Sequence, residues 1–83
     1  MKNKKITLAI VDDHQIVIDG LKSLLHGHDQ FDVLIECTQP MEMISLLEKE
    51  PVDILLTDVM MPGLNGAELS KLVHQKFPSI KIL

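Results

Sequence analysis

One feature constrains this chain more than any other: short apolar runs of strand length alternate with segments of helical spacing. Lys5 to Val11 is an apolar run that stops at Asp12, and it reads as a strand buried on both faces. Ile16, Val17, Gly20, Leu21, Leu24 and Leu25 then recur at helical spacing, which predicts a helix. Gly27 is expected to stop it in a left-handed conformation. Phe31 to Thr38 reads as a second strand. Pro40 suits a first helical position and opens a helix that runs to Glu50. Val52 to Thr57 is a third strand, ending at Asp58. A turn-rich stretch, Met61-Pro62-Gly63-Leu64-Asn65-Gly66, leads into a helix from Ala67 to Phe77, and Pro78 breaks it. Ile80 to Leu83 begins a fourth strand. Parallel strands need crossovers of this length, so βαβαβαβ implies an α/β fold with a parallel sheet.

Composition supports one small soluble domain over residues 1–83. Apolar residues make up 46% and charged residues 24% of the 83 residues, an ordinary globular balance. No apolar run approaches the roughly 20 residues of a membrane span. Met1-Lys2-Asn3-Lys4-Lys5 is basic but has no long apolar core after it, so no secretory signal is expected. The single cysteine, Cys37, allows no internal disulfide and is expected to be a small buried hydrophobe. A cytoplasmic location follows as an expectation. The net charge is −4 and there is no arginine. Such a surface repels phosphate backbones and lacks the side chain that best reads guanine. Direct nucleic-acid binding by this chain is not expected, nor is membrane binding.

Ligand sites in open parallel sheets lie beyond the carboxyl ends of the strands. Asp12 and Asp13 follow the first strand, and Asp58 follows the third. If these strands are neighbours, three carboxylates converge on one rim. Like charges about 4–5 Å apart cost several kcal/mol at an effective dielectric near 20. A hard divalent cation such as Mg2+ offsets that cost, and one of the carboxylates could then act as a nucleophile. The bland alternatives are a helix cap at Asp13 and a turn-former at Asp58. His14 sits beside the rim and could tune it. His26, His28 and His74 are scattered, and the methionines are expected to pack helices.

Two segments carry a resemblance. Ile10-Val11-Asp12-Asp13-His14 followed by Gly20-Leu21, and Leu55-Leu56-Thr57-Asp58-Val59-Met60-Met61-Pro62-Gly63-Leu64-Asn65-Gly66, resemble response-regulator receiver domains of two-component signalling. Within that family they look most like regulators with a LuxR-type output domain. The resemblance implies a flavodoxin-like sheet of strand order 2-1-3-4. It implies that Asp58 accepts phosphate from a sensor histidine kinase. It also implies that Asp13 ligates magnesium, Asp12 holds a metal water, and the backbone carbonyl of Met60 is a further ligand. Pro62, Gly63 and Gly66 would shape the loop, with Asn65 capping the third helix. The parent would regulate transcription, and the domain would be a phosphoacceptor, not an enzyme.

A full receiver has five strands and five helices. By that measure the chain is incomplete at its C-terminus and stops before helix four. The family's Ser/Thr and Lys positions fall past Leu83, which puts efficient phosphorylation in question. Leu8, Ile10, Leu55 and Ile82 are then expected to lose part of their cover, and the chain to self-associate. Two rival readings are a phosphorylation-inactive interaction module and a magnesium-dependent aspartyl phosphotransferase. The second usually carries another acid two residues after its nucleophile, where this chain has Met60.

Overall fold

A computed structural model describes residues 5–58 and 66–83. The elements run β1 (Ile6–Val11), α1 (Gln15–Leu25), β2 (Phe31–Cys37), α2 (Pro40–Lys49), β3 (Ile54–Thr57), α3 (Gly66–Lys76) and β4 (Lys81–Ile82). The strands form one sheet in the order β2-β1-β3-β4, and every pairing is parallel. This is the expected topology, with boundaries that differ from the sequence reading by a residue or two.

The two sheet faces bury different residues because successive side chains on a strand alternate. Ala9, Val11 and Leu55 belong to one core with Met43 and Leu47 of α2 and Leu69 and Val73 of α3. Leu8, Ile10 and Ile18 are buried apart from that cluster, on the α1 side. The second half of β1 is therefore buried on both faces, as a central parallel strand should be.

A bulge controls how β2 joins these faces. Leu8 pairs with Val33, but Ala9 pairs with Ile35, so Leu34 is the extra residue. An inserted residue reverses the alternation beyond it. Val33 lines a cleft with Leu25 of α1, whereas Ile35 and Cys37 enter the α2/α3 core. Leu34 itself is 39% exposed.

The β1–β3 register is pinned at the amino ends of the strands. The Asp53 N–H donates to the Thr7 carbonyl at 3.0 Å and to its hydroxyl oxygen at 2.9 Å. In return, the Thr7 N–H and hydroxyl donate to Asp53 Oδ2 at 2.9 and 3.1 Å. Nothing in the apolar pattern announced this clamp.

Three expectations need correction. The inward stripe of α1 runs through buried Ile18 and half-buried Leu21 and Leu25; Leu21 and Leu25 belong to the set that the spacing suggested, but Ile18 does not, and Ile16 and Leu24 of that set are 79% and 72% exposed. The helix carries apolar residues on two faces, and only one meets the sheet. Gly27 is not left-handed. Instead the chain leaves α1 in tight turns, with His26 N–H donating to Ser23 O and His28 N–H to Leu25 O, so no positive φ is needed. Finally, Leu8, Ile10 and Leu55 keep their cover, at 3%, 1% and 0% exposure. α1 alone suffices over Leu8 and Ile10, and Leu55 points to the opposite face, under α2 and α3. Ile82 packs against the same core while remaining partly buried, and Leu83 is exposed.

Candidate functional site

The pairing of β1 with β3 places Val11 opposite Thr57. The backbone bonds continue one residue further: Asp12 N–H donates to Cys37 O and Asp58 N–H to Val11 O, each at 3.2 Å. Asp12 and Asp58 are therefore fixed at the rim by the same ladder that holds the sheet. Asp13 follows directly, before α1 begins. Donor atoms of Asp12, Asp13, His14 and Asp58 all lie within 4.8 Å of one another. The three aspartates that the sequence singled out are brought together; His26, His28 and His74 are not in this group. Met60 and Asn65 lie outside the described residues.

The carboxylates are not equivalent. Asp12 is buried, and its Oδ1 accepts the His14 N–H at 2.9 Å. That Asx-type bond turns the chain from β1 into α1. His14 is the residue that precedes the first helical turn, and its side chain caps nothing. Its Nδ1 instead lies 3.2 Å from Asp12 Oδ1 and 2.9 Å from Asp13 Oδ1. The Asp13 contact is at ion-pair distance but lacks hydrogen-bond geometry, so Asp13 Oδ1 is a buried oxygen with no hydrogen-bond donor. The Asp12 hydrogen bond and then the Asp13 charge hold the His14 imidazole above its ordinary pKa, with smaller contributions from Asp12 and Asp58. His14, which the sequence placed beside the rim, thus lies against both Asp12 and Asp13.

Beside the acids lies a cleft of about 210 Å³ lined by Ile10, Leu21, Leu56, Thr57 and Leu83 together with Asp12 and Asp58. On the other flank, Cys37 ends β2 and is 8% exposed. Burial pushes its thiol up, the Gln39 backbone bond pulls it back, and Glu42 adds a smaller upward push. A raised pKa lowers the thiolate fraction, and the thiolate is the nucleophile. Alkylation of Cys37 by iodoacetamide at pH 8 is expected to be much slower in the native chain than in urea. Equal rates would contradict the burial.

Magnesium can be tested against these residues. Asp13 Oδ1, buried and without a donor, is the kind of atom that an ion would satisfy. The set is dominated by carboxylate oxygen, which hard cations prefer. The residues fit the ion.

A parallel sheet of this order defines the class: a flavodoxin-like α/β domain, here with a cluster of acidic side chains at the carboxyl ends of β1 and β3. The comparisons with known proteins then fix the family. Residues 8–83 match the response regulator receiver domain, and the chain belongs to that family, as a receiver domain of two-component response regulators. It is 32% identical over 83 residues to the transcriptional regulatory protein DegU of Brevibacillus brevis, covering 100% of this chain and 35% of that protein. It is 37% identical over 78 residues to the transcriptional regulatory protein LnrK of Bacillus subtilis, covering 94% of this chain and 36% of that protein. The structure matches the isolated REC domain of RcsB from Salmonella enterica serovar Typhimurium, determined with phosphomimetic BeF3-, at a TM-score of 0.88. That match has 32% identity and covers 95% of this chain and 59% of the other. The chain spans about a third of the length of these curated relatives.

Proposed function

We propose that this domain accepts a phosphoryl group on Asp58 from a sensor histidine kinase, with magnesium held by Asp12, Asp13 and Asp58 and by the Met60 carbonyl. The observation that carries this reading is the convergence of three carboxylates around a buried, undonated Asp13 Oδ1. When bound, magnesium supplies the positive charge that lets an anionic phosphoryl group approach an acidic rim. The protein does the positioning. Asp58 is anchored by its backbone bond to Val11 at the end of a central strand, beside an open cleft. Its carboxylate oxygen attacks phosphorus as the phosphorus–nitrogen bond of a phosphohistidine breaks, and the departing imidazole keeps the electron pair and takes up a proton.

On this reading the domain is a phosphoacceptor and not an enzyme. It belongs to a cytoplasmic regulator of transcription, as the names of its relatives suggest. Among the described residues no helix is long and apolar enough to cross a membrane. With a net charge of −4 and no arginine, this domain relays a signal and leaves DNA contact to other parts of a regulator.

Magnesium is expected to bind weakly, at about millimolar Kd, as at open sites of low ligand charge. Calorimetry on Asp13→Ala should show binding lost, and unchanged affinity in that variant would reject the site. The β4 edge offers a further expectation. Among the described residues no strand neighbours its outer N–H and C=O groups, Leu83 is exposed, and such edges pair readily. Self-association through β4 is expected at high micromolar concentration. A monomer of 9.3 kDa in sedimentation equilibrium would contradict it.

A further inference from the structure

We propose that Thr57 is a positioning residue for Asp58: its side-chain hydroxyl holds the Asp58 carbonyl and so sets the direction in which the Asp58 carboxylate leaves the strand. The inference rests on the reading of Asp58 as the phosphoacceptor and concerns what aims that side chain.

The backbone gives the first argument. β3 ends at Thr57, so Asp58 lies one residue past the strand. The sheet still holds its nitrogen: Asp58 N–H donates to Val11 O at 3.2 Å, and Thr57 N–H donates to Leu83 O at 3.2 Å. These bonds fix the chain as far as the Asp58 nitrogen. They leave the rotation between its Cα and its carbonyl to be settled by other contacts. The Thr57 hydroxyl supplies one, donating to Asp58 O at 3.1 Å. Asp58 is thus gripped on both sides of its Cα, by the ladder at N–H and by Thr57 at C=O. Backbone φ and ψ decide which χ1 rotamers a side chain can take, so this double grip also aims the carboxylate.

The surroundings of Thr57 give the second argument. Side chains alternate along a strand, so Thr57 points to the same face as Leu55. It lines a cleft there with Gly66, Ala67, Ser70, Ile82 and Leu83. The rest of β3 is aliphatic. The Ser70 hydroxyl in the same cleft donates to Gly66 O at 2.7 Å, within its own helix. A half-buried hydroxyl in such a place is unfavourable unless it is bonded. Valine has the same branched shape and suits a strand as well. Packing and strand propensity therefore do not call for threonine at this position, whereas the bond to Asp58 does.

Labelling of the 83-residue chain by acetyl phosphate and magnesium tests this in wild type, Thr57→Val and Thr57→Ser. The maximal rate and the half-saturating donor concentration are measured separately, and urea midpoints are taken for each chain. Thr57→Val should lower the maximal rate about three- to thirtyfold, short of the roughly hundredfold that a misplacement of about 1 Å can cost. Half-saturation should stay within about twofold, the pattern of a loss felt in the transition state and not in binding. Thr57→Ser keeps the hydroxyl and should return the rate to within about twofold of wild type. Should Thr57→Val prove unfolded by its urea midpoint, Thr57→Ala carries the same expectation. A second readout needs no phosphodonor: the Asp58 carbonyl carbon resonance should move in Thr57→Val and keep its place in Thr57→Ser, and an unmoved resonance in Thr57→Val counts against the inference. Equal maximal rates in wild type and Thr57→Val overturn it. So does an equal fall in both variants, because the hydroxyl is then not the cause. If the wild-type chain takes no label, or Asp58→Asn takes as much, the phosphoacceptor reading itself is wrong and the inference falls with it.

Discussion

Asp58→Asn is expected to abolish covalent labelling by a small phosphodonor such as acetyl phosphate, with no adduct detectable by intact mass. The carboxamide keeps the shape of the side chain and its backbone bond to Val11, so the rim should remain folded. What it removes is the anionic oxygen that attacks phosphorus. Asp12→Ala should behave differently. Asp12 is buried and occupied by His14, which leaves it badly placed to attack, and its loss should slow labelling without ending it. Losses caused by general unfolding would be equal in the two variants. Labelling that persists in Asp58→Asn would place the acceptor elsewhere.

The second large effect lies in the core. Leu55 is wholly buried among side chains of α2 and α3. Leu55→Ala should cost about 2–5 kcal/mol, the range for truncating a buried leucine. Stabilities of about 0.05–0.15 kcal/mol per residue put an 83-residue domain near 4–12 kcal/mol, so this single change should remove about a sixth of the total or more. Leu24 is 72% exposed on α1, and Leu24→Ala should stay within about 0.5 kcal/mol. Urea midpoints of the two variants check the assignment of faces. A Leu55→Ala midpoint close to wild type, or a collapsed Leu24→Ala, would mean that the buried faces are misassigned. Because Leu55 lies in the strand that positions Asp58, the variant should also weaken labelling wherever it populates the unfolded chain.

Much of this was legible in the sequence, for definable reasons. The strands were visible because each is a short apolar run closed by Asp12, Thr38, Asp58 or the chain's own turn residues. The acidic rim was visible because parallel α/β topology says where to look, and Asp12, Asp13 and Asp58 stand there. The faces of α1 were less legible. Ile16, Val17 and Leu24 are as apolar as Ile18, Leu21 and Leu25, and spacing alone cannot say which set meets the sheet. The bulge at Leu34 was invisible, because one inserted residue changes no composition and yet inverts which side chains of β2 reach the α2/α3 core. The Thr7–Asp53 clamp was missed because both residues read as ordinary strand positions, and an apolar pattern says nothing of which polar groups pair across strands. Gly27 misled for the opposite reason: glycine permits a left-handed stop but does not require one. His14 was half legible. Its place beside the rim came from the sequence, but its approach to both Asp12 and Asp13 depends on the tight turn that Asp12 holds.

On the proposed reading, Asp58 is a metal-dependent phosphoacceptor at a rim shared with Asp12 and Asp13. Borohydride reduction of the phosphorylated wild-type chain, followed by peptide mapping, tests it most directly, since an aspartyl phosphate is reduced where it formed. One modified residue, Asp58, is expected in chains labelled with magnesium present, and no modification in chains treated with the phosphodonor and EDTA. Modification at Asp12 or Asp13, label on a histidine, or equal labelling in EDTA would contradict it.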